Sequence, residues 1–297
     1  MLSIVAADTH PRELVAAAAD ADAFVRVPPV LDSLFPQSFR RAAARFGVDT
    51  WVPVHDLEVI AAAEARDGDR LPVGVVTTAP ALEAARLCWD KLLIAEALAD
   101  AGVPTPKTER GDTVHWRGGC MVKPRNGVGS RAVRLVDDAS RRTDEERSEA
   151  FVVQEPCVGP EVTVDAFRSA HDGWFAATCR ERLDVRAGVA TRCRVYSDER
   201  LSQLAADVAE VVGLTGSFCL QAMRAIDGDR WLITDVNPRP GGATRMSVAA
   251  GMDYHAAMLA DAWGDDPRPF LPGLAAERWV ARGYVERLLE PEASPCR

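Results

Sequence analysis

The 297-residue sequence contains no uninterrupted apolar run of about 18 residues, so no membrane-spanning helix is expected. Its start, Met1-Leu-Ser-Ile-Val, carries no positive stretch, and Asp8 interrupts the apolar run too early for a secretory leader. The seven cysteines (Cys88, Cys120, Cys157, Cys179, Cys193, Cys219 and Cys296) form no CxxC pair and are odd in number. That argues against a disulfide framework or a zinc site, and the thiols are expected to be reduced and mostly buried in a cytoplasmic protein. An excess of basic charge is missing too: 35 Lys and Arg stand against 44 Asp and Glu, a net charge of −9. A general nucleic-acid binder is thereby disfavoured, while a local basic pocket for an anion is still compatible. No internal repeat and no low-complexity linker occurs. What remains is an ordinary globular composition, 47% hydrophobic and 27% charged, with length for two or three lobes.

Hydrophobic periodicity places strands at 3–7, 23–27, 50–54 and 73–77, with helices at 12–19, 37–46 and 57–65 between them. That alternation predicts a small parallel α/β lobe over about the first 85 residues. It lacks GxGxxG after its first strand, where Ala6-Ala7-Asp8 stands, so a dinucleotide site in the usual place is not expected. A long amphipathic helix is predicted over 81–101, closed by Gly102, followed by strands at 120–123 and 132–136. A charged helix is then expected over 137–149, and a strand at 151–154. Further strands are expected at 161–167, 173–178, 191–196, 217–226 and 231–235, and helices at 199–212, 246–251 and 254–263.

Four stretches carry candidate chemistry. The run MVKPRNGVGS over 121–130 puts Lys123 at a strand end, just before a loop whose glycines let backbone N–H groups turn toward a phosphate. The lysine precedes the glycines, so this is no Walker A loop, and a plain hairpin turn is the alternative. The run QEPCVGPE over 154–161 leaves a strand through a Pro- and Gly-containing segment. Its exposed backbone suits an adenine edge and Glu161 suits a ribose, with a simple hinge as the alternative. Gln221 and Asp235 lie near the ends of two apolar strands joined at Asp227-Gly228-Asp229, so their side chains can meet across a hairpin. Asp235 and Asn237, two apart, face one side of an extended strand. Three hard oxygen donors of limited charge suit Mg²⁺ completed by phosphate oxygens, and Arg239 could bridge a phosphate or carboxylate. A polar strand end with a proline turn is the alternative. Finally, Arg180, Arg182, Arg186, Arg192 and Arg194 fall within fifteen residues, and alternation puts Arg192 and Arg194 on one face, where they could line a cleft for anions.

With those residues in place, the sequence resembles the ATP-grasp superfamily, in its carbamoyl-phosphate-synthetase-like branch, from about Cys88 to His255. Asp90-Lys91 followed by Ala101-Gly-Val-Pro-Thr-Pro106 is similar to the segment leading into the grasp. Lys91 and Lys123 correspond to the ATP-phosphate lysines, and Asn126, Gly127, Gly129, Ser130 and Arg131 to the glycine-rich flap. Gln154, Glu155 and Val158 correspond to the adenine-reading hinge, Glu161 to the ribose carboxylate, and Gln221, Asp235 and Asn237 to the metal ligands. Arg239, Gly241-Gly242 and Ser247 match the run that follows. Asp235 departs from the usual glutamate, which leaves one or two metal ions open.

The resemblance implies a fold of mixed α/β and α+β type. A short parallel α/β lobe over 1–86 would precede two α+β subdomains, 87–157 and 158–297, that clasp ATP. It implies ATP and Mg²⁺ (or Mn²⁺) as cofactors and a carboxylate–amine ligase that forms an amide through an acyl phosphate. Carbamoyl- or carboxyphosphate chemistry and small-molecule phosphotransfer are the alternatives. Lys123 and Arg239 would be the catalytic residues, with Arg180, Arg182, Arg192, Arg194 and Arg239 facing substrate. The partners implied are small-molecule carboxylates and amines, without nucleic acid or membrane, and the resemblance is compatible with a homodimer.

Overall fold

A computed structural model describes residues 2–127, 132–186 and 189–289. The described chain divides into two compact units. The smaller holds residues 2–52, 64–77 and 283–289. Its strands β1 (Val5–Asp8) and β2 (Ala23–Arg26) pair in parallel, and β3 (Thr50–Trp51) pairs in parallel with β4 (Val76–Thr77). Helix α1 (Phe35–Phe46) packs Phe35 and Phe39 against Trp51 and ends at Gly47, whose φ of 62° places it in the left-handed cap conformation. The helix expected over 12–19 is instead two 3₁₀ turns, Arg12–Leu14 and Ala16–Ala19.

The larger unit holds 53–63 and 78–282, so residues 53–63 and 78–86, assigned by sequence to the first lobe, pack with it. Helix α2 (Asp56–Asp67) begins in this unit and buries Val59, Ala62 and Ala63. The predicted helix over 81–101 is two helices, α3 (Leu82–Trp89) and α4 (Lys91–Asp100). Asp90 breaks it by leaving the helical conformation and accepting from the N–H groups of Leu92 and Leu93, a side-chain cap that starts α4.

Strands β5 (Thr108–Arg110), β6 (Cys120–Pro124), β7 (Arg134–Val136) and β8 (Phe151–Gln154) form a four-stranded sheet in the order β5-β8-β6-β7, antiparallel throughout. The helix expected over 137–149 does not form. Asp138 accepts from the N–H of Ser140 and Glu146 from that of Thr143, and two short 3₁₀ turns result. Local side-chain acceptors outcompete helix here.

A second, six-stranded sheet contains β9 (Val158–Arg168), β10 (Phe175–Arg186), β11 (Val189–Tyr196), β12 (Gly216–Arg224), β13 (Trp231–Asn237) and β14 (Arg278–Ala281). Its order is β13-β12-β9-β10-β11-β14. On central β9, Val162, Val164 and Ala166 join one core cluster with α3, α4 and α5 (Glu199–Val212). The alternate residues Thr163, Asp165 and Phe167 are buried on the opposite face, beside α6 (Arg245–Ala249) and α7 (Tyr254–Ala262). β9 is thus buried on both faces, with Thr163 and Asp165 alternating with its apolar residues. Each large aliphatic side chain so enclosed contributes roughly 1.5–3 kcal/mol. Among the described residues no helix is long and apolar enough to cross a membrane.

Candidate nucleotide and metal site

The β12–β13 hairpin sets Gln221 opposite Asp235 and Cys219 opposite Asn237, the arrangement expected from spacing. Pairing then skips from Gln221–Asp235 to Ala222–Ile233, so Thr234 is an extra, bulged residue. Such a bulge re-aims the neighbouring side chain and backbone carbonyl. Lys123, at the end of β6, donates to the Thr234 carbonyl at 3.4 Å, and Asn237 Nδ2 donates to Asp235 Oδ2 at 3.2 Å. The four-stranded and six-stranded sheets of the larger unit thus meet at this corner.

One cleft is lined by Lys91, Lys123, Gly127, Gln154, Glu155, Glu161, Gln221, Asp235 and Asn237. Lys91 is the first residue of α4, and its ammonium donates to the Gly127 carbonyl at 3.0 Å. Asn126 donates to the Trp89 carbonyl, which ties the start of the glycine-rich segment to the α3–α4 junction. Gly129, Ser130 and Arg131 lie outside the described residues. Gln154 is buried, and its amide donates to Thr108, a β5–β8 link. The Glu155 N–H goes to the Lys107 carbonyl, and Val158 opens β9 without lining the cleft.

Burial pulls the Lys123 ammonium below its ordinary pKa; Asp235 opposes that shift and Lys91 adds to it. A desolvated lysine beside a second one makes a strong demand for a polyanion. The donor set at the hairpin fits one divalent ion. Gln221, Asp235 and Asn237 offer hard oxygens with a single formal charge, and the Asn237–Asp235 hydrogen bond leaves the Asn237 carbonyl oxygen and one Asp235 oxygen for a ligand. No group of three His, Cys, Asp or Glu able to hold a metal occurs among the described residues. An ion here would therefore take the rest of its shell from phosphate and water.

The arginines differ from expectation. Arg180 does not face a cleft: it is fully buried and forms two hydrogen bonds to Asp165, at 2.6 and 3.0 Å, because its β10 position points into the sheet face that α6 covers. Arg182 pairs with Glu161, the expected ribose carboxylate. Arg194 is held by Glu181 and Glu277 and covers the Tyr196 ring, while Arg186 and Arg192 are exposed. None of these five lines the cleft. Arg239 stands behind it, gripped through Nε and Nη2 by both oxygens of Asp56 at 2.8 and 2.7 Å. Asp56 itself lines the cleft. Sequence reasoning missed it, since 183 residues separate the pair and an acid at a helix start has an ordinary explanation. It also missed Met121 and Met223, apolar residues that can pack on a base, and Cys157, all three of which line the cleft.

A family profile described as ATP-grasp domain matches residues 88–243, more than half of the chain. No curated protein matches in sequence. Among solved structures, a variant of Rhizobium etli pyruvate carboxylase superposes with a TM-score of 0.72 at 16% identity, over 94% of this chain and 27% of that one. The Campylobacter jejuni biotin carboxylase in complex with β-γ-ATP gives 0.69 at 17%, over 88% of this chain and 65% of that one. The Bacillus licheniformis L-amino acid ligase gives 0.66 at 16%, over 88% and 73%. The chain spans less than two thirds of the first two proteins, and likeness at such identity establishes the fold. With the profile match covering both lysines, the hinge and the β12–β13 corner, the chain belongs to the ATP-grasp domain family.

Proposed function

We propose that the protein is an ATP- and Mg²⁺-dependent carboxylate–amine ligase that forms an amide through an acyl phosphate. The observation that carries this reading is the convergence of Lys91, Lys123, Glu161, Gln221, Asp235 and Asn237 on one cleft. Lys91 and Lys123 would neutralise the polyphosphate, Met121 and Met223 would flank the base, and Glu161 would accept from the ribose. Gln221, Asp235 and Asn237 would hold the metal, which supplies charge neutralisation to the transferring phosphoryl group. A substrate carboxylate oxygen attacks the γ-phosphorus and ADP departs. An amine then attacks the acyl carbon, and phosphate leaves as the amine sheds its proton. Positioning and electrostatics supply most of the catalysis in phosphoryl transfer, which matches a cleft rich in fixed charge and hydrogen-bond donors.

A second reading is carboxyphosphate chemistry on bicarbonate, favoured by the likeness to biotin carboxylase. The L-amino acid ligase, covered over a larger share of its own length, favours the first. The test is ADP release with carboxylate and amine mixtures: Lys123→Ala and Asn237→Ala should abolish it while circular dichroism stays native. ADP release at the wild-type rate in either variant would sink the assignment.

A further inference from the structure

The buried Asp165–Arg180 pair lies outside the cleft, yet it is wired to the turn that carries the metal corner. Asp165 and Arg180 are 1% and 2% exposed, which costs desolvation that a hydrophobic pair of the same size would avoid. Asp165 accepts four hydrogen bonds, one for each of its lone-pair sites. Arg180 gives two, Thr244 Oγ1 gives one at 2.8 Å, and Ser247 Oγ gives one at 2.6 Å. Thr244 is 1% exposed and spends its hydroxyl in both senses: it donates to Asp165 and accepts from the Gly241 N–H at 2.9 Å. Its own N–H returns to the Gly241 carbonyl at 3.0 Å, closing a small ring.

The ring fixes a short turn with little room. A Cβ on Gly241 would come within 3.0 Å of Cys219 Sγ, so the backbone there lies hard against β12, at the residue paired with Asn237. The preceding residue, Pro240, offers its carbonyl to Arg239 Nη1 at 3.2 Å, and the Arg239 N–H returns to the Asn237 carbonyl at 2.8 Å. An unbroken path of hydrogen bonds and adjacent peptides therefore runs from Asp165 through Thr244, Gly241, Pro240 and Arg239 to Asn237. At its inner end, where Asp165 and Thr244 are each 1% exposed, water cannot replace a lost partner without cost.

We propose that Thr244, held by Asp165, is a positioning residue that sets the 238–243 turn and thereby aims Asn237 and brings the Arg239 guanidinium, Nε–H included, onto Asp56. This rests on the reading of Gln221, Asp235 and Asn237 as a metal corner. It assigns to a threonine outside the cleft the task that hydrogen-bonding partners of ligands perform in metal sites, where their loss lowers affinity about 10–100-fold.

Thr244→Val keeps the shape of the side chain and removes the hydroxyl; Thr244→Ser keeps the hydroxyl. Mn²⁺ affinity in the presence of ADP is read by electron paramagnetic resonance, and ADP affinity without metal by calorimetry. Protection of the Arg239 Nε–H resonance, assigned by its loss in Arg239→Lys, is read by NMR. Thr244→Val should weaken Mn²⁺ by about tenfold, leave ADP within about twofold, and lose Nε–H protection. Thr244→Ser should restore both to near wild type. The proposal is overturned if Thr244→Val binds Mn²⁺ like wild type, if metal and ADP affinity fall together, or if Thr244→Ser does not rescue. A wild-type protein that binds neither ADP nor Mn²⁺·ADP would overturn the functional reading instead. The Arg239 resonance would then decide this proposal alone: protection lost in Thr244→Val and regained in Thr244→Ser upholds it, and unchanged protection overturns it.

Discussion

Lys123 Nζ donates to the carbonyl of Thr234, the one bulged residue of β13, immediately before Asp235. A cation from the four-stranded sheet is thereby held against a carbonyl of the β12–β13 hairpin. Asp235 offsets part of the cost of burying its charge, yet burial still depresses its pKa. Burying that ammonium carries a desolvation cost that a bound anion would offset.

The first prediction follows from that cost. In the ligand-free protein Lys123→Met should raise the thermal midpoint, because it replaces a desolvated ammonium with an apolar chain of similar length. The unfolded chain holds the lysine proton more tightly than the folded one, so the cost is present at neutral pH. It is relieved as pH climbs through the folded pKa toward the ordinary value of 10.5. The stability gap between variant and wild type should accordingly narrow with rising pH, and MgATP should stabilise only wild type. Denaturant melts at several pH values test this; a gap that widens would count against it.

Asp165→Asn leaves Arg180 buried without its counter-charge and should destabilise the protein by about 3–5 kcal/mol. Replacing both partners with apolar residues should cost far less for folding, since no orphaned charge remains. Urea melts of the single and double variants measure the difference, and a single variant as stable as wild type would contradict the pairing.

Cysteine chemistry offers a footprint of the cleft. Cys88, Cys120, Cys179, Cys193 and Cys219 are buried, and burial pushes Cys179 and Cys219 up to about 12. Cys157 is only half-buried, lines the cleft, and has the Lys123 cation opposing the rise of its pKa. Iodoacetamide should label Cys157 ahead of those five, and MgATP should slow that labelling. Peptide mass mapping with and without nucleotide gives the answer; labelling at Cys157 that nucleotide leaves unchanged would place the base elsewhere.

The β12–β13 corner was legible because its determinants are local. Strand alternation and a turn at 227–229 suffice to bring Gln221, Asp235 and Asn237 together. Helices α1 and α5 were legible for the same reason, each ending on a left-handed glycine, Gly47 and Gly213. The failures arose where side chains compete with backbone or act at a distance. Asp90 looked like the middle of a helix and is its cap, and it also grips Arg125 at the base of the glycine-rich segment. Asp138 and Glu146 looked like a solvated helix and instead capture N–H groups of turns. Alternation puts Arg192 and Arg194 on one face, but nothing local shows that Arg180 pairs inside the fold with Asp165, a carboxylate that no spacing rule could identify. Asp56, whose partner is Arg239, was invisible for lack of any local signature.

The most direct measurement supplies wild-type protein with Mg²⁺, ATP, a panel of carboxylates that includes the amino acids, and hydroxylamine, and reads ADP and hydroxamate together. An acyl-phosphate ligase should give at least one carboxylate that yields the two products in equal amounts, with both lost in Lys123→Met. ADP formed on a carboxylate without any hydroxamate would contradict carboxylate activation and move the protein to a different phosphoryl acceptor.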